Sequence, residues 1–510
     1  MTQKIVIDNK KIPSYVTHVT ETLEKGGFEA FLVGGCVRDL IMEKEPKDWD
    51  ITTNATPEQI IPLFEKTVYE NTYGTVGVCI PTVSGETNRD VTHETCLPNR
   101  QAQYDIIEVT PYRIEAKYSD NRHPDKVKFS DKIEDDLKRR DFTMNALAYN
   151  PYKGLIIDLY KGQEDIKDKV VRAVGEPSDR FSEDALRMLR AVRFATQLGF
   201  TIEYDTMQAI VDNSKLLENI SGERIRDEFV KIIESGTPVT GIGMLSKLGL
   251  LKYIIPELEE GIGCEQGGAH IYDVFEHCLQ ALDHAANKGF STEIRLSALF
   301  HDIGKPRTRR AGEKKAYTFY GHEVVGANMV RKIMDRLKFP KKTTDQVVSM
   351  VRNHMFFSDT EQITLSAVRR IVQKVGKDHI WELMEVREAD RVGMKKKEAP
   401  YRLRKYHAMI DEVLRDPISV GQLAIDGEVM IKELNMKPSR RMGWILHALL
   451  EEVLDDPKKN TKEHLLELAK TLDILPDGAL QVLGERGKEK KEELEEEEIS
   501  KVHAKHGIRK

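Results

Sequence analysis

Between about Phe28 and Asp158 the chain alternates short apolar runs (FEAFLVGG, YGTVGVCIP, YDIIEVTPYR, GLIIDLY) with a helix-like stretch, TPEQIIPLFEKT. The runs read as strands, and Thr56 followed by Pro57 reads as the cap and first turn of the helix. The pattern predicts an α/β or α+β head. Past it the apolar spacing changes from two to three and four. SEDALRMLRAVRFATQLG carries Leu186, Leu189, Val192, Phe194 and Ala195 at helical intervals, with Ser182 as a cap and Gly199 as a stop. ISGERIRDEFVKIIESG puts Ile225, Phe229 and Ile232 on one face of a second helix. A histidine-rich helical block runs from His270 to about Asp390, and a last block from about Pro417 to Leu475 contains the turn-like IDGE and PSRR. Glu485 to Glu498 (ERGKEKKEELEEEE) is nearly all charge, which predicts a solvated helix or a disordered tail.

A length of 510 residues predicts three or four domains. With 32% charged residues and no apolar run near the 18 that a spanning helix needs, a membrane protein is not expected. The start, MTQKIVIDNKKIP, lacks a signal-peptide core, so a cytoplasmic protein is expected. Cys36, Cys79, Cys96, Cys264 and Cys278 are odd in number and form no CxxC pair, the pattern of reduced thiols rather than of a zinc ribbon or redox site. Lys and Arg number 78 against 84 Asp and Glu, so net charge neither predicts nor excludes a polyanionic partner; local features must decide.

FLVGGCVRDL places two glycines and an arginine directly after an apolar strand, where backbone N–H groups can approach a phosphate unobstructed. Glycine pairs also serve plain strand-to-helix turns. In KDWDIT, Asp48 and Asp50 alternate with Trp49, so on a strand both carboxylates share one face, and two carboxylates on one face call for a cation. A solvated Asp pair is the simpler alternative, but it leaves the apolar Trp49 and the neighbouring glycine turn unexplained. Glu108 on a later strand is a third carboxylate, completing a cage suited to two Mg²⁺ ions and in-line nucleotidyl transfer. Asp105 competes with it, and the odd separation lets only one of the two face the metals.

GGCVRD, DWD with ITT, RRDFTMNALAY, EDALRMLRAVRF and GERIRDE stand in the order of the class II tRNA nucleotidyltransferase and bacterial poly(A) polymerase family, which the chain resembles over residues 25 to 260. The resemblance implies an α+β protein with a polymerase-β-like head followed by helical neck, HD body and tail. It divides the chain at 1–160 (head), 161–262 (neck with a nucleotide-selecting helix), 263–412 (HD metal-binding domain), 413–480 (tRNA-binding tail) and 481–510 (charged extension). It implies that Asp48 and Asp50 hold Mg²⁺ with Glu108 assisting, that Gly35 and Arg38 contact the triphosphate, and that Arg140 and Asp141 position the nucleotide.

Asp184, Arg187, Arg190 and Arg193 recur at intervals of three, a stripe along one helix face. A salt-bridged solvent face is the plain reading, yet arginines side by side repel unless an anion is near, and a triphosphate supplies one. By the resemblance Asp184 and Arg187 select CTP and then ATP without a nucleic-acid template, and Glu183 steadies Arg187. The implied partners are tRNA, CTP and ATP, with no membrane and no obligate protein partner. The same motifs serve full CCA addition, CC or A addition and poly(A) synthesis. The stretch YSDNRHPDKVKFSDKIEDDLKRR resembles the flexible loop that CC-adding enzymes lack, and no arginine-rich poly(A) block follows the DxD segment. The expectation is therefore CCA addition, with an A-adding enzyme or poly(A) polymerase as the same-class alternative. TVSGETNRDVTHETCLPNRQAQ exceeds a tight hairpin and has no assigned role.

HDIGKP (His301 to Pro306), with FEHCL (His277), YGHE (His322), RNH (His354) and READ (Asp390), resembles the HD phosphohydrolase superfamily. Imidazole and carboxylate donors suit a divalent transition metal such as Ni²⁺, Co²⁺ or Mn²⁺. His277, His301, Asp302 and Asp390 match a one-metal set, and His322 and His354 make room for a second ion. The resemblance implies phosphatase or 2′,3′-cyclic phosphodiesterase activity, or a scaffold. An HD phosphohydrolase with an RNA-binding head is the different-class alternative, which the intact DxD and RRD oppose.

Overall fold

The computed structural model describes residues 7–70, 74–81, 104–116, 126–267, 271–312, 316–356, 364–392, 400–414 and 420–506. The insertion at 82–103, Cys96 within it, and residues 118–125 of the expected flexible loop lie outside them. The chain forms two compact units, Met1–Arg352 and Asn353–Lys510.

The first unit opens with helix α1 (Ser14–Lys25) and a mixed seven-stranded sheet. Its strands are β1 (Ala30–Val33), β2 (Asp50–Thr53), β3 (Thr67–Glu70), β4 (Thr75–Pro81), β5 (Tyr104–Pro111), β6 (Leu147–Asn150) and β7 (Leu155–Asp158), in spatial order β3-β4-β5-β2-β1-β6-β7. Only the β2–β5 pair is parallel, and its register sets Asp50 beside Glu108 and Ile51 beside Val109. Ile51, Val76, Val78, Ile107 and Val109 are fully buried, whereas Asp48 and Glu108 are exposed and Asp50 half-buried. Along β5 that alternation follows from the two-residue period of a strand, and Trp49, just before β2, is buried as expected.

β1 runs through Gly34 into helix α2 (Gly35–Ile41). Helix α3 (Ile133–Lys138) leads into the RRDFTMN turn before β6. The helical neck contains α4 (Gly162–Asp168), α5 (Pro177–Glu183), α6 (Leu186–Leu198) and α7 (Gly222–Ile233). One expectation is corrected here: EDALRMLRAVRF is not one helix. Asp184 adopts φ −144° and ψ 104°, ending α5, and its carboxylate accepts the Leu186 N–H at 3.1 Å. A short polar side chain that bonds its own backbone competes with helix continuation, and here it wins. Gly199 stops α6 at φ +70°, as its position predicts. The unit continues through α8 (Val274–Asn287), α9 (Thr292–Phe300) and α10 (His322–Arg336).

In the second unit, α11 (Ile380–Asp390), α12 (Pro400–Leu414), α13 (Arg440–Asp455) and α14 (Asp477–Lys505) are the principal helices. IDGE and PSRR are helix starts rather than free turns, with Asp426 and Ser439 as caps. The charged segment at Glu485 to Glu498 is helical throughout, as one of its two expectations had it, and α14 packs along α13. A Cβ at Gly487 would lie 2.1 Å from the His447 carbonyl oxygen and one at Gly484 2.8 Å from Trp444 Cα. Two glycines one helical turn apart therefore let the backbones meet, and Arg486–Glu451 and Lys490–Asp455 ion pairs flank the contact.

Candidate nucleotide and metal sites

Asp50 stands at the start of β2, next to Glu108 across the parallel pair. Burial raises the Asp50 carboxyl above the ordinary carboxylate range; Arg140 works to lower it, and the like charge of Asp48 adds to the rise. Gly34 sits over this corner with φ +76° and ψ −133°, and a Cβ there would lie 3.1 Å from Arg140 Nη1 and 3.7 Å from Asp50 Oδ2. Only glycine serves such a backbone at such a distance. Glu108 rather than Asp105 is therefore the carboxylate aligned with Asp50.

Behind that corner the RRDFTMN turn organises the charges. The fully buried Asp136 accepts Arg139 Nη2 at 2.6 Å on one oxygen and Arg140 Nη2 at 2.9 Å on the other. Burial works to raise this carboxyl, but Arg140 and then Arg139 outweigh it and hold it below its usual range. Asp141 accepts Arg190 at 2.6 Å, the Phe142 N–H at 2.8 Å and the Asn145 amide at 3.2 Å. Its own burial is overcome by Arg190, which brings it down to about 2. Asn145 also accepts Arg38 Nη1 at 2.9 Å, and Asp39 accepts Arg38 Nη2 at 2.7 Å. Gly35, at the start of α2, lies with its Cβ position 3.6 Å from Arg38 Nη2.

The break at Asp184 leaves its carboxylate to partners outside α5. Arg224 of α7 grips it with Nη1 at 3.2 Å and Nη2 at 2.7 Å. Arg187 donates Nη1 to Glu183 at 2.6 Å and Nη2 to the Arg139 carbonyl at 3.0 Å, so Glu183 does steady it. Its Nε–H meets no acceptor among the described residues. Arg193 donates to Glu228 of α7 at 2.6 Å. The arginines of the stripe thus have carboxylate partners of their own, Glu183, Asp141 and Glu228. Mutual repulsion does not by itself demand a triphosphate.

Five residues that hold this site went unassigned in the sequence: Asp136, Asn145, Phe194, Arg224 and Glu228. Asp136 stands three and four residues before its partners Arg139 and Arg140, and Arg224 and Glu228, four apart in GERIRDE, share one helix face from which they meet Asp184 and Arg193. Asn145 and Phe194 carried no such signal.

The second site is built around Asp302, fully buried just beyond α9. His301 Nε2 lies 3.2 Å and His277 Nε2 3.5 Å from Asp302 Oδ2, and His322 Nε2 3.3 Å from Oδ1. The two imidazole nitrogens of His277 and His301 are 3.2 Å apart. Backbone carbonyls of Ala298 and Phe319 face Nδ1 of His301 and His322 at 2.8 and 2.7 Å, which assigns the proton to Nδ1 and turns the Nε2 lone pairs toward Asp302. Converging lone pairs beside a buried carboxylate form a donor set that fits a divalent metal. Lys305, four residues after His301 and quoted in HDIGKP without a role, lies 2.5 Å from Asp302 Oδ2 and donates to Gln266 at 2.6 Å. Burial raises the Asp302 carboxyl, yet Lys305 and then His301 hold it well below its usual range. A Cβ at Gly304 would lie 2.3 Å from the His322 carbonyl oxygen, so the glycine of the motif brings α10 and its histidine onto the site. His354 and Asp390, the two remaining expected ligands, are carried by the second unit, where His354 is buried and Asp390 half-buried.

Residues 30–172 match the model of the Poly A polymerase head domain, 199–262 that of the probable RNA and SrmB-binding site of polymerase A, and 274–395 that of the HD domain. The chain is 32% identical to the CCA-adding enzyme of Lactobacillus helveticus over 89% of its own length and 96% of that protein's. The Bacillus stearothermophilus CCA-adding enzyme in complex with CTP shares the architecture at a TM-score of 0.56 and 27% identity, over 89% of this chain and 97% of that one. The Thermotoga maritima CCA-adding enzyme, solved with tRNA, shares the fold at a TM-score of 0.53 and 18% identity, covering 91% and 97%. No described helix is long and apolar enough to cross a membrane.

Proposed function

The chain belongs to the CCA-adding enzyme family, and from that membership we propose that Asp48, Asp50 and Glu108 hold the catalytic Mg²⁺ while Asp184 and Arg187 read the incoming base. The protein is a tRNA nucleotidyltransferase that adds CMP, CMP and AMP from CTP and ATP to tRNA 3′ ends without a nucleic-acid template. The reaction joins the tRNA 3′ oxygen to the nucleotide α-phosphorus and releases pyrophosphate. Mg²⁺, when bound, supplies the positive charge that offsets charge building on the transferring phosphoryl group. The parallel register of Asp50 with Glu108, beneath the open backbone of Gly34, is the observation that carries the reading.

The chain's own residues divide the remaining work. Gly34 and Gly35 leave room for the triphosphate, and Arg38, Arg140 and Arg190 face that corner from fixed partners, Asp39 with Asn145, Asp136 and Asp141. Arg224 fixes the direction of the Asp184 carboxylate, and Glu183 with the Arg139 carbonyl fixes Arg187, so an acceptor and a donor stand ready for a Watson–Crick edge. Arg193, bonded to Glu228, steadies α6 against α7. A cytoplasmic location suits a tRNA substrate and the buried thiols of Cys36, Cys79, Cys264 and Cys278.

A second proposal rests on the convergence of imidazole nitrogens on Asp302: His277, His301, Asp302 and His322 hold a divalent Ni²⁺, Co²⁺ or Mn²⁺ and serve a phosphohydrolase reaction on phosphate esters of nucleotides or tRNA ends.

Asp48→Ala and Asp50→Ala are expected to abolish incorporation of labelled CMP and AMP into tRNA lacking CCA, with tRNA binding retained in a gel-shift assay. Wild-type incorporation by either variant removes the assignment.

A further inference from the structure

Phe194 of α6 is buried, and three guanidinium groups surround its ring. Arg193 Cζ lies 4.1 Å, Arg38 Cζ 5.3 Å and Arg190 Cζ 5.4 Å from the ring centroid. Phe142 meets the same ring edge-on, with centroids 5.8 Å apart and planes at 82°. Each arginine has polar partners: Asp39 and Asn145 for Arg38, Asp141 for Arg190, Glu228 for Arg193. All three share a contact with this ring.

The contacts close a circuit. Arg38 donates to Asn145, Asn145 donates to Asp141, Asp141 accepts Arg190, and both Arg190 and Arg38 return to the face or rim of Phe194. Arg38 follows the glycine turn of the head, Asn145 and Asp141 belong to the RRDFTMN turn, and Arg190 shares α6 with Arg187. We propose that Phe194 is a positioning residue that holds the base-reading end of α6 in register with the glycine turn and the head carboxylates. A triphosphate held by the head and a base read by α6 are two ends of one nucleotide, so the distance between those elements decides whether the α-phosphorus meets the tRNA 3′ oxygen. Hydrogen bonds alone leave the circuit open at the Arg38–Arg190 step; the ring closes it by attracting both cations to one electron-rich surface. This rests on the reading that Asp184 and Arg187 select the base.

Phe194→Leu keeps an apolar side chain in the pocket and removes the ring. It is expected to lower kcat about tenfold for both CTP and ATP and to lower discrimination against UTP and GTP to a similar degree, while KM changes less than threefold, because positioning acts on the transition state more than on ground-state binding. Phe194→Tyr, which keeps the ring, restores kcat. In a double-mutant cycle with Arg190→Lys the losses are expected to be non-additive, as they are for side chains that act through one contact. Thermal melting of each variant scores the folded fraction. An unchanged kcat and unchanged discrimination in folded Phe194→Leu, or strictly additive losses in the cycle, overturns the proposal even if wild-type protein adds C, C and A in order. If wild-type protein shows no ordered addition, the base-reading assignment falls and this inference with it.

Discussion

Asp141 sits where head meets neck, with Arg190 on one oxygen and the Phe142 and Asn145 N–H groups on the other. Its carboxyl falls from an ordinary 3.8 to about 2 in the folded chain, because Arg190 and the hydrogen bonds outweigh burial. A group whose folded value is depressed adds stability above its unfolded value, and that stability is lost as the pH falls through the folded one. The contribution is about 2 kcal/mol at neutral pH and fades between roughly pH 4 and 2. Asp141→Asn is therefore expected to lower the urea midpoint at pH 7, and the deficit should shrink as the melts are repeated toward pH 2. A deficit that stays constant with pH would show that packing, not charge, makes the contact. Asp184 belongs to the same scale: a single side chain bonded to its own backbone ends one helix, starts another and turns its carboxylate to Arg224. Arg224→Ala is expected to relax nucleotide choice toward UTP and GTP by about tenfold, the share of a base-edge contact worth roughly 1 to 3 kcal/mol, read from single-nucleotide incorporation.

Several helices in this protein meet closely at a glycine that lacks a Cβ. α14 rests on α13 through Gly484 and Gly487, and α10 reaches the Asp302 site because Gly304 yields to the His322 carbonyl. Gly443 on α13 differs, with open space at its Cβ position. The pair makes a controlled comparison. Gly487→Ala forces α13 and α14 apart at a cost of about 1 to 3 kcal/mol, the usual range for overpacking. Gly443→Ala gains about 0.5 to 1 kcal/mol from reduced backbone freedom. Hydrogen exchange is the measurement: Gly487→Ala should lose protection across Asp477–Lys505, and Gly443→Ala should keep or raise it. Equal protection in both variants would mean that the ion pairs, not the close backbone approach, dock α14.

In the first unit two chemistries share one chain. The head presents oxygen donors on strands, and the Asp302 cluster presents imidazoles on helices, so the two should prefer different ions. Changing His301 and Asp302 together to Ala is expected to strip tightly bound transition metal and any phosphatase or phosphodiesterase activity, and to leave Mg²⁺-dependent CCA addition within about twofold. Metal analysis beside both assays checks it. Should CCA addition fall in step with metal content in a folded variant, the two sites are coupled.

Much of the molecule was legible in the sequence because the signals are local. Two-residue alternation put Trp49 inside and Asp48 outside, Gly199 marked the end of α6, and motif order carried the family and the α+β architecture. What stayed hidden depends on partners far apart in the chain. Parallel pairing of β2 with β5, across more than fifty residues, set Glu108 rather than Asp105 beside Asp50. The arginine stripe read as a salt-bridged face or an anion site with Glu183 beside Arg187, and folding supplied Asp141 and Glu228 as the partners of Arg190 and Arg193. Asp184 broke a helix that apolar spacing drew as continuous, since periodicity records which face is buried and is blind to a side chain that caps its own backbone. Sequence spacing determines elements and the faces they present. Which charge meets which, and which ring three arginines share, are settled by tertiary packing, where a buried charge is tolerated only beside its partner.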